Sequence, residues 1–183
     1  MRITALLFAM LALLGCSKPA WHMTDISGAM PRLDFHMTAD GKPVTAEDFR
    51  GKVVALYFGY SHCPDVCPAT LANLTDMAGK VNSPDVAILF VTVDPERDTD
   101  VVLSDYAKAF SPQVTGLHGS DNQLAALART YRVAYTVKKG PPYEVMHSNA
   151  VFFFDRDGKA RLVTTDTSDP SAMAEDVKQL LRQ

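Results

Sequence analysis

Two apolar runs near the middle of the chain indicate buried strands, and helical periodicity follows each of them. Residues 53–58 are apolar throughout, and residues 86–93 are nearly so, as in strands buried on both faces. Apolar side chains at three- and four-residue spacing then predict helices within 71–81, 101–110 and 124–131. Strands that alternate with helices predict a sheet with a parallel part, covered by helices on both faces.

Turn and cap signals predict how the domain begins and ends. Asp40-Gly41-Lys42-Pro43 separates two short extended pieces and predicts an N-terminal hairpin. Asp155-Arg156-Asp157-Gly158 joins the extended runs 149–154 and 160–164 in a second hairpin, and Asp169-Pro170 opens a last helix. The pattern alone establishes an α/β class. It suits a thioredoxin-like fold with a mixed central sheet, flanking helices and an N-terminal hairpin extension.

The first residues are predicted to direct export. A positive start, an apolar stretch and Leu13-Leu14-Gly15-Cys16 predict a lipoprotein signal peptide over residues 1–15. The stretch is too short to span a bilayer. We expect lipidated Cys16 and a flexible tether over residues 16–31, then one domain over residues 32–183, held on the periplasmic side of a bacterial membrane. The alternative is an ordinary secretory signal with a chance cysteine.

Composition narrows the classes of function. The 183 residues are 47% hydrophobic and 21% charged, which excludes collagen-like and wholly disordered chains. A net charge of −3, without a basic run, argues against nucleic acid as a partner. If Cys16 is lipidated, Cys63 and Cys67 are the only free thiols.

These two cysteines lie where the first buried strand ends and a helix begins. The unpaired N–H groups of a helix N-terminus favour thiolates, which form reversible disulfides, attack other disulfides or bind soft metals. Thiol–disulfide exchange proteins usually have two residues between their cysteines, whereas three separate Cys63 from Cys67. The wider spacing favours a metal without forbidding a disulfide.

A third donor is expected from His147, which precedes the strand at 149–154. In a thioredoxin-like topology the loop that enters this strand faces the cysteine corner, where oxidoreductases place a cis-proline. Two thiolates and one imidazole suit Cu(I) and Cu(II), while zinc usually takes a fourth protein ligand. His62 is expected to pack or to support the site, and His118 to lie in a surface loop. Five further residues are expected to be linker and strand residues, with contact to a soft metal as the alternative: His22, Met23, Met30, His36 and Met37.

Residues 58–68 (Phe-Gly-Tyr-Ser-His-Cys-Pro-Asp-Val-Cys-Pro) closely resemble the signature of the Sco/SenC family of copper chaperones for cytochrome c oxidase. Further matching blocks occur in order along the chain, at 41–44, 49–52, 91–99, 131–133, 147–148 and 155–158. The resemblance extends over roughly residues 33–181.

The resemblance implies that Cys63, Cys67 and His147 bind one copper ion. It implies delivery of copper to the copper-A site of cytochrome c oxidase or, alternatively, thiol–disulfide reduction of that site's cysteine pair by Cys63 and Cys67. The implied partners are the oxidase's copper-A subunit and a periplasmic copper donor. Asp94 and Asp98 resemble the family's acidic loop near the metal, which implies that they orient the ligands or dock a partner. The equally weighted alternative is a turn and helix cap. Many members have a transmembrane helix, whereas this chain is expected to be lipid-anchored.

Overall fold

The computed structural model describes residues 20–183, which fold around a mixed six-stranded sheet. Its strands, in order across the sheet, are β1 (Thr24–Asp25), β10 (Ala160–Thr164), β9 (Val151–Phe154), β4 (Val53–Gly59), β5 (Val86–Thr92) and β6 (Val114–Leu117). Strands β4, β5 and β6 are parallel, whereas β9, β10 and β1 add antiparallel pairs. The expected mixed sheet is confirmed.

In the described part of the chain, four helices and two separate hairpins surround this sheet. The helices are α1 (Val66–Val81), α2 (Asp100–Lys108), α3 (Asp121–Thr130) and α4 (Pro170–Leu181). The hairpins are β2 (His36–Ala39) with β3 (Lys42–Thr45), and β7 (Tyr135–Lys138) with β8 (Glu144–His147). A short 3₁₀ helix, Ala46–Phe49, follows β3. The helices predicted from periodicity, the N-terminal hairpin and the β9–β10 hairpin are all present.

The sheet separates two hydrophobic cores. Alternate residues of β4 enter each of them, Tyr57 on the side of α1 and α4 and Phe58 on the side of α3 and the N-terminal hairpin. Every residue of β4 and of β5 is buried, because both faces of the central strands are covered. This two-sided burial explains the continuous apolar runs in the sequence.

Local signals are realised where expected. Asp40 and Gly41 have φ values of 51° and 71° and form the tight turn between β2 and β3. The Asp169 carboxylate accepts hydrogen bonds from the N–H groups of Ser171 and Ala172 and so caps α4, with Pro170 in its first turn.

Residues 20–31 differ from the flexible tether that the sequence suggested. Trp21 packs against the core beside α1 and α4, and Met23 is buried. The carboxylate of Asp176, itself buried, accepts hydrogen bonds from the backbone N–H groups of His22 and Met23. The segment then pairs through β1 with β10, so these contacts fasten it to the domain.

Other expectations concern residues that the structure does not describe. The signal peptide and Cys16 lie outside residues 20–183. Within the described range, no helix combines the length and apolarity needed to cross a membrane.

Candidate metal centre

The cysteine pair occupies the carboxyl end of β4 and the first turn of α1. Cys67 is fully buried, whereas Cys63 lies half-buried in the loop before the helix. The Cys67 N–H donates to Cys63 Sγ over 3.3 Å, which brings the two residues together. A Cβ at Gly59 would lie 3.0 Å from Cys67 Sγ and 2.6 Å from Phe90 Cε2, so only glycine leaves room for this sulfur.

His147 ends β8 and contacts the buried thiol. Its Nε2 lies 3.2 Å from Cys67 Sγ, and its Nδ1 lies 3.0 Å from the carbonyl oxygen of Ser148. Because a carbonyl only accepts hydrogen bonds, we assign the ring proton to Nδ1, which directs the lone pair of Nε2 at the sulfur. Tyr57 and Tyr60 meet the imidazole edge-on, with ring centroids 6.0 and 5.9 Å away. The imidazole therefore presents the electron pair of Nε2 to the Cys67 sulfur.

The two thiols have different acidities. Burial raises the pKa of Cys67 to about 12. Burial also opposes ionisation of Cys63, but hydrogen bonds from the backbone N–H groups of Asp65 and Cys67 outweigh it and lower the Cys63 pKa. Burial lowers the pKa of His147 and so favours its neutral form. Cys63 is thus the more exposed and more acidic thiol.

Asp98 fastens the loop that carries Cys63. Its carboxylate is inaccessible to solvent and accepts hydrogen bonds from the Ser61 N–H at 2.8 Å, Ser61 Oγ at 2.5 Å and Thr92 Oγ1 at 2.8 Å. His62 Nδ1 lies 3.2 Å from the same carboxylate. These bonds fix Asp98 to the loop and to β5.

Asp94 fastens the hairpin that carries His147. One carboxylate oxygen accepts a hydrogen bond of 2.8 Å from the hydroxyl of Tyr143, in the turn between β7 and β8. The other oxygen pairs with Nε of Arg97, whose guanidinium carbon lies 3.8 Å from the centroid of the Tyr143 ring. Sequence reasoning missed Tyr143 and Arg97. For Tyr143 the available signal was Gly140-Pro141-Pro142, a turn signal that directly precedes it.

The structure brings Cys63, Cys67 and His147 to one end of the sheet. Within residues 20–183, no three His, Cys, Asp or Glu side chains are already grouped as a metal site. The Cys63 sulfur accepts the Cys67 N–H and is also hydrogen-bonded to the Cys67 side chain. Cys67 thus contacts both of the other candidate donors, Cys63 and His147.

The remaining histidines and methionines have other surroundings. His62 supports the loop through Asp98, as expected of a packing or supporting residue. His118 is tied in more firmly than a surface loop residue, because it bridges to Thr38 and its Nε2 contacts the Pro95 carbonyl. His22 pairs with Glu175, and His36 is exposed on β2. Met23 and Met37 are buried in the two cores, where Met30 also packs in part.

Comparison with known proteins gives a consistent result. The family model described as SCO1/SenC matches residues 30–182. The mouse protein named "Protein SCO2 homolog, mitochondrial" is 38% identical over 152 residues, which are 78% of this chain and 57% of that protein. The chain thus spans little more than half the length of such curated relatives.

Solved structures match over a larger share of their own chains. The crystal structure of Arabidopsis thaliana ScoI with copper bound is 35% identical, with a TM-score of 0.76, over 83% of this chain and 98% of that one. A structure of BsSco is 25% identical, with a TM-score of 0.65, over 84% and 97%. It is described as showing a disulfide switch in a member of the Sco family of cytochrome c oxidase assembly proteins. The thioredoxin-like α/β fold expected from the sequence is thereby confirmed.

Proposed function

The chain belongs to the SCO1/SenC family, and from this membership we propose that it is a metallochaperone whose cargo is one copper ion. The contact of 3.2 Å between Cys67 Sγ and His147 Nε2 carries the proposal. Cys63, Cys67 and His147 are the proposed donors. Two soft sulfurs and one imidazole suit Cu(I), and the imidazole also accommodates Cu(II). The copper-bound Arabidopsis relative supports the choice of metal.

The proposed recipient is the copper-A site of cytochrome c oxidase, reached by direct contact between proteins. The description of BsSco as an oxidase assembly protein supports the assignment. Cys63 is accessible enough to exchange with an incoming ligand, and two large apolar side chains beside the donors, Val66 and Met146, are 42% and 67% exposed. An apolar rim around an open site suits a protein partner. A periplasmic copper donor would load the same face.

We further propose that the lipid on Cys16 holds this domain close to the periplasmic side of a bacterial membrane. Residues 1–15 resemble a lipoprotein signal, and Cys16 precedes the first described residue by only four positions. Four extended residues span about 14 Å. Because Trp21 already packs on the domain, the tether is short.

A second candidate function is reduction of the cysteine pair of the copper-A site, and the unequal thiols favour it. The Cys63 thiolate would attack the acceptor disulfide, form a mixed disulfide and release one acceptor thiol. Cys67 would then transfer its proton towards His147 and attack Cys63 Sγ, which releases the second thiol. The protein would end as a Cys63–Cys67 disulfide, having supplied two electrons, and a dithiol donor must restore it.

Anaerobic titration of the purified full chain with Cu(I) and Cu(II) tests the chaperone. We expect one equivalent to bind, with a thiolate-to-copper charge-transfer band for Cu(II) that His147→Ala abolishes. His36→Ala, which removes an exposed imidazole from β2, is the matched control. The Cys63–Cys67 disulfide form should bind no copper, because thiolates are the ligands.

Transfer distinguishes the two functions. Copper-loaded protein mixed with a reduced, metal-free copper-A domain should produce the copper-A absorption spectrum. If the protein binds no copper but reduces an oxidised copper-A domain stoichiometrically, the chaperone function is contradicted and the reductase function is supported.

A further inference from the structure

The β7–β8 hairpin that carries His147 stands apart from the main sheet. Among the described strands, β7 and β8 pair only with each other. Exposed residues alternate with partly buried residues along both strands. Such a hairpin needs further contacts to hold a side chain in a fixed position, since isolated two-stranded hairpins are marginally stable. The question is therefore what holds His147 against Cys67.

Tyr143 supplies the most specific of these contacts. Its hydroxyl donates a hydrogen bond of 2.8 Å to Asp94, whose side chain is 1% exposed. The Arg97 guanidinium lies over the Tyr143 ring at 3.8 Å while it pairs with Asp94. The buried Asp94 carboxylate and the Arg97 guanidinium thus hold the ring and hydroxyl of Tyr143 at the tip of the hairpin.

Residues 94–98, which include Asp94 and Arg97, also hold the loop at residues 60–65 that carries Cys63 (the cysteine loop). The backbone N–H groups of Arg97 and Asp98 both donate to the carbonyl oxygen of Asp94, which makes residues 94–98 a compact turn. Asp98 binds both the backbone and the side chain of Ser61, in the cysteine loop. One turn therefore connects the hairpin that carries the imidazole to the loop that carries Cys63.

We propose that Tyr143, Asp94 and Arg97 form a latch that positions His147 against Cys67 and whose opening withdraws the imidazole from the two thiols. The inference deepens the proposed copper function and rests on it. Withdrawal of His147 would leave the two thiolates as the only proposed donors to Cu(I) and would open a coordination position for a recipient's ligand. Tyr143, Asp94 and Arg97 are positioning residues, because they act through His147.

Tyr143→Phe is the most conservative test, since it removes one hydroxyl and keeps the ring beneath Arg97. Tyr135→Phe is the control, because this hydroxyl on the same hairpin has no hydrogen bond to another residue in 20–183. The first measurement is hydrogen exchange without copper. Tyr143→Phe should accelerate exchange of the paired β7 and β8 amides about tenfold and leave the α1 amides unchanged, whereas Tyr135→Phe should match wild type.

The second measurement is copper affinity of the full chain. Tyr143→Phe should weaken Cu(II) binding about tenfold and lower the intensity of the charge-transfer band, with a smaller effect on Cu(I). In a His147→Ala background, Tyr143→Phe should not change the copper affinity further, because Tyr143 acts through the imidazole that is already removed.

The outcomes separate the latch from the function on which it rests. If wild type binds no copper, the copper proposal fails, and the exchange measurement still decides whether the hairpin is latched. Wild-type exchange rates and Cu(II) affinity in Tyr143→Phe would overturn the latch. An equal loss of Cu(II) affinity with and without His147 would also overturn it, because Tyr143 would then act by another route.

Discussion

The Sγ atom of Cys67 lies 3.2 Å from Nε2 of His147, although 80 positions separate the two residues. This contact joins the end of the separate hairpin to the first turn of α1. It serves both candidate functions, because the Nε2 lone pair is a metal donor and also a proton acceptor for Cys67. His147→Ala is consequently expected to slow the second step of disulfide exchange as well as to weaken Cu(II) binding strongly.

Alkylation should distinguish the two thiols. Since the Cys63 pKa is lowered and the Cys67 pKa is raised to about 12, more Cys63 is ionised at neutral pH. We expect iodoacetamide at pH 7 to modify Cys63 about tenfold faster than Cys67, as measured by mass spectrometry of the peptides that contain each cysteine. In denaturant the difference should disappear. Equal rates in the native protein would contradict the assigned asymmetry.

Glycine substitutions should have opposite effects at two positions. A Cβ at Gly59 would meet Phe90 and Cys67, whereas a Cβ at Gly79, within α1, meets nothing within 4 Å. We expect Gly59→Ala to destabilise the fold by about 2 kcal/mol and Gly79→Ala to stabilise it by about 0.5–1 kcal/mol. Urea unfolding of both variants checks the pair. A neutral Gly59→Ala would show that the surroundings of Cys67 yield easily.

Loss of the Asp98 charge should loosen the cysteine loop. Asn at this position keeps one acceptor oxygen, but it weakens the bonds to Ser61 and Thr92 that the carboxylate now accepts. Asp98→Asn should therefore lower the free energy of unfolding by about 2 kcal/mol. The exposed Asp105 on α2 provides the matched control, for which Asp105→Asn should be nearly neutral. Equal effects of the two substitutions would remove Asp98 from this role.

Alkaline pH should destabilise the protein partly through Tyr131. Burial raises the pKa of this tyrosine from 10.0 to about 12, and its hydroxyl donates to the Arg32 carbonyl. Tyr131 contributes about 2 kcal/mol to the free energy of unfolding. This contribution is present in full below pH 10 and is lost as the pH rises through 12. Urea midpoints from pH 9 to 12 should fall less steeply in Tyr131→Phe. A parallel decline in both proteins would contradict the assignment.

The sequence by itself determined the elements whose signals are local. The apolar run at 53–58 predicted a central strand because both of its faces are buried, and Asp169-Pro170 marked the start of α4 because capping involves adjacent residues. Strand β6 was missed because it has only four residues. Its Gly116 packs so closely on α2 that an added Cβ would lie 2.7 Å from Leu103 Cγ. Nothing in that short segment reveals its pairing with β5.

Only the tertiary structure decided which polar groups meet. Ser61 and Asp98 are 37 positions apart, Asp94 and Tyr143 are 49 apart, and each pair forms a hydrogen bond. Such bonds depend on strand order and on how a turn and a hairpin dock at one end of the sheet, which residue periodicity does not specify. The sequence indicated which residues are the proposed donors, Cys63, Cys67 and His147, but not how they are oriented. The packing of distant segments sets their orientation, because a hydrogen bond is sensitive to displacements of a few tenths of an ångström.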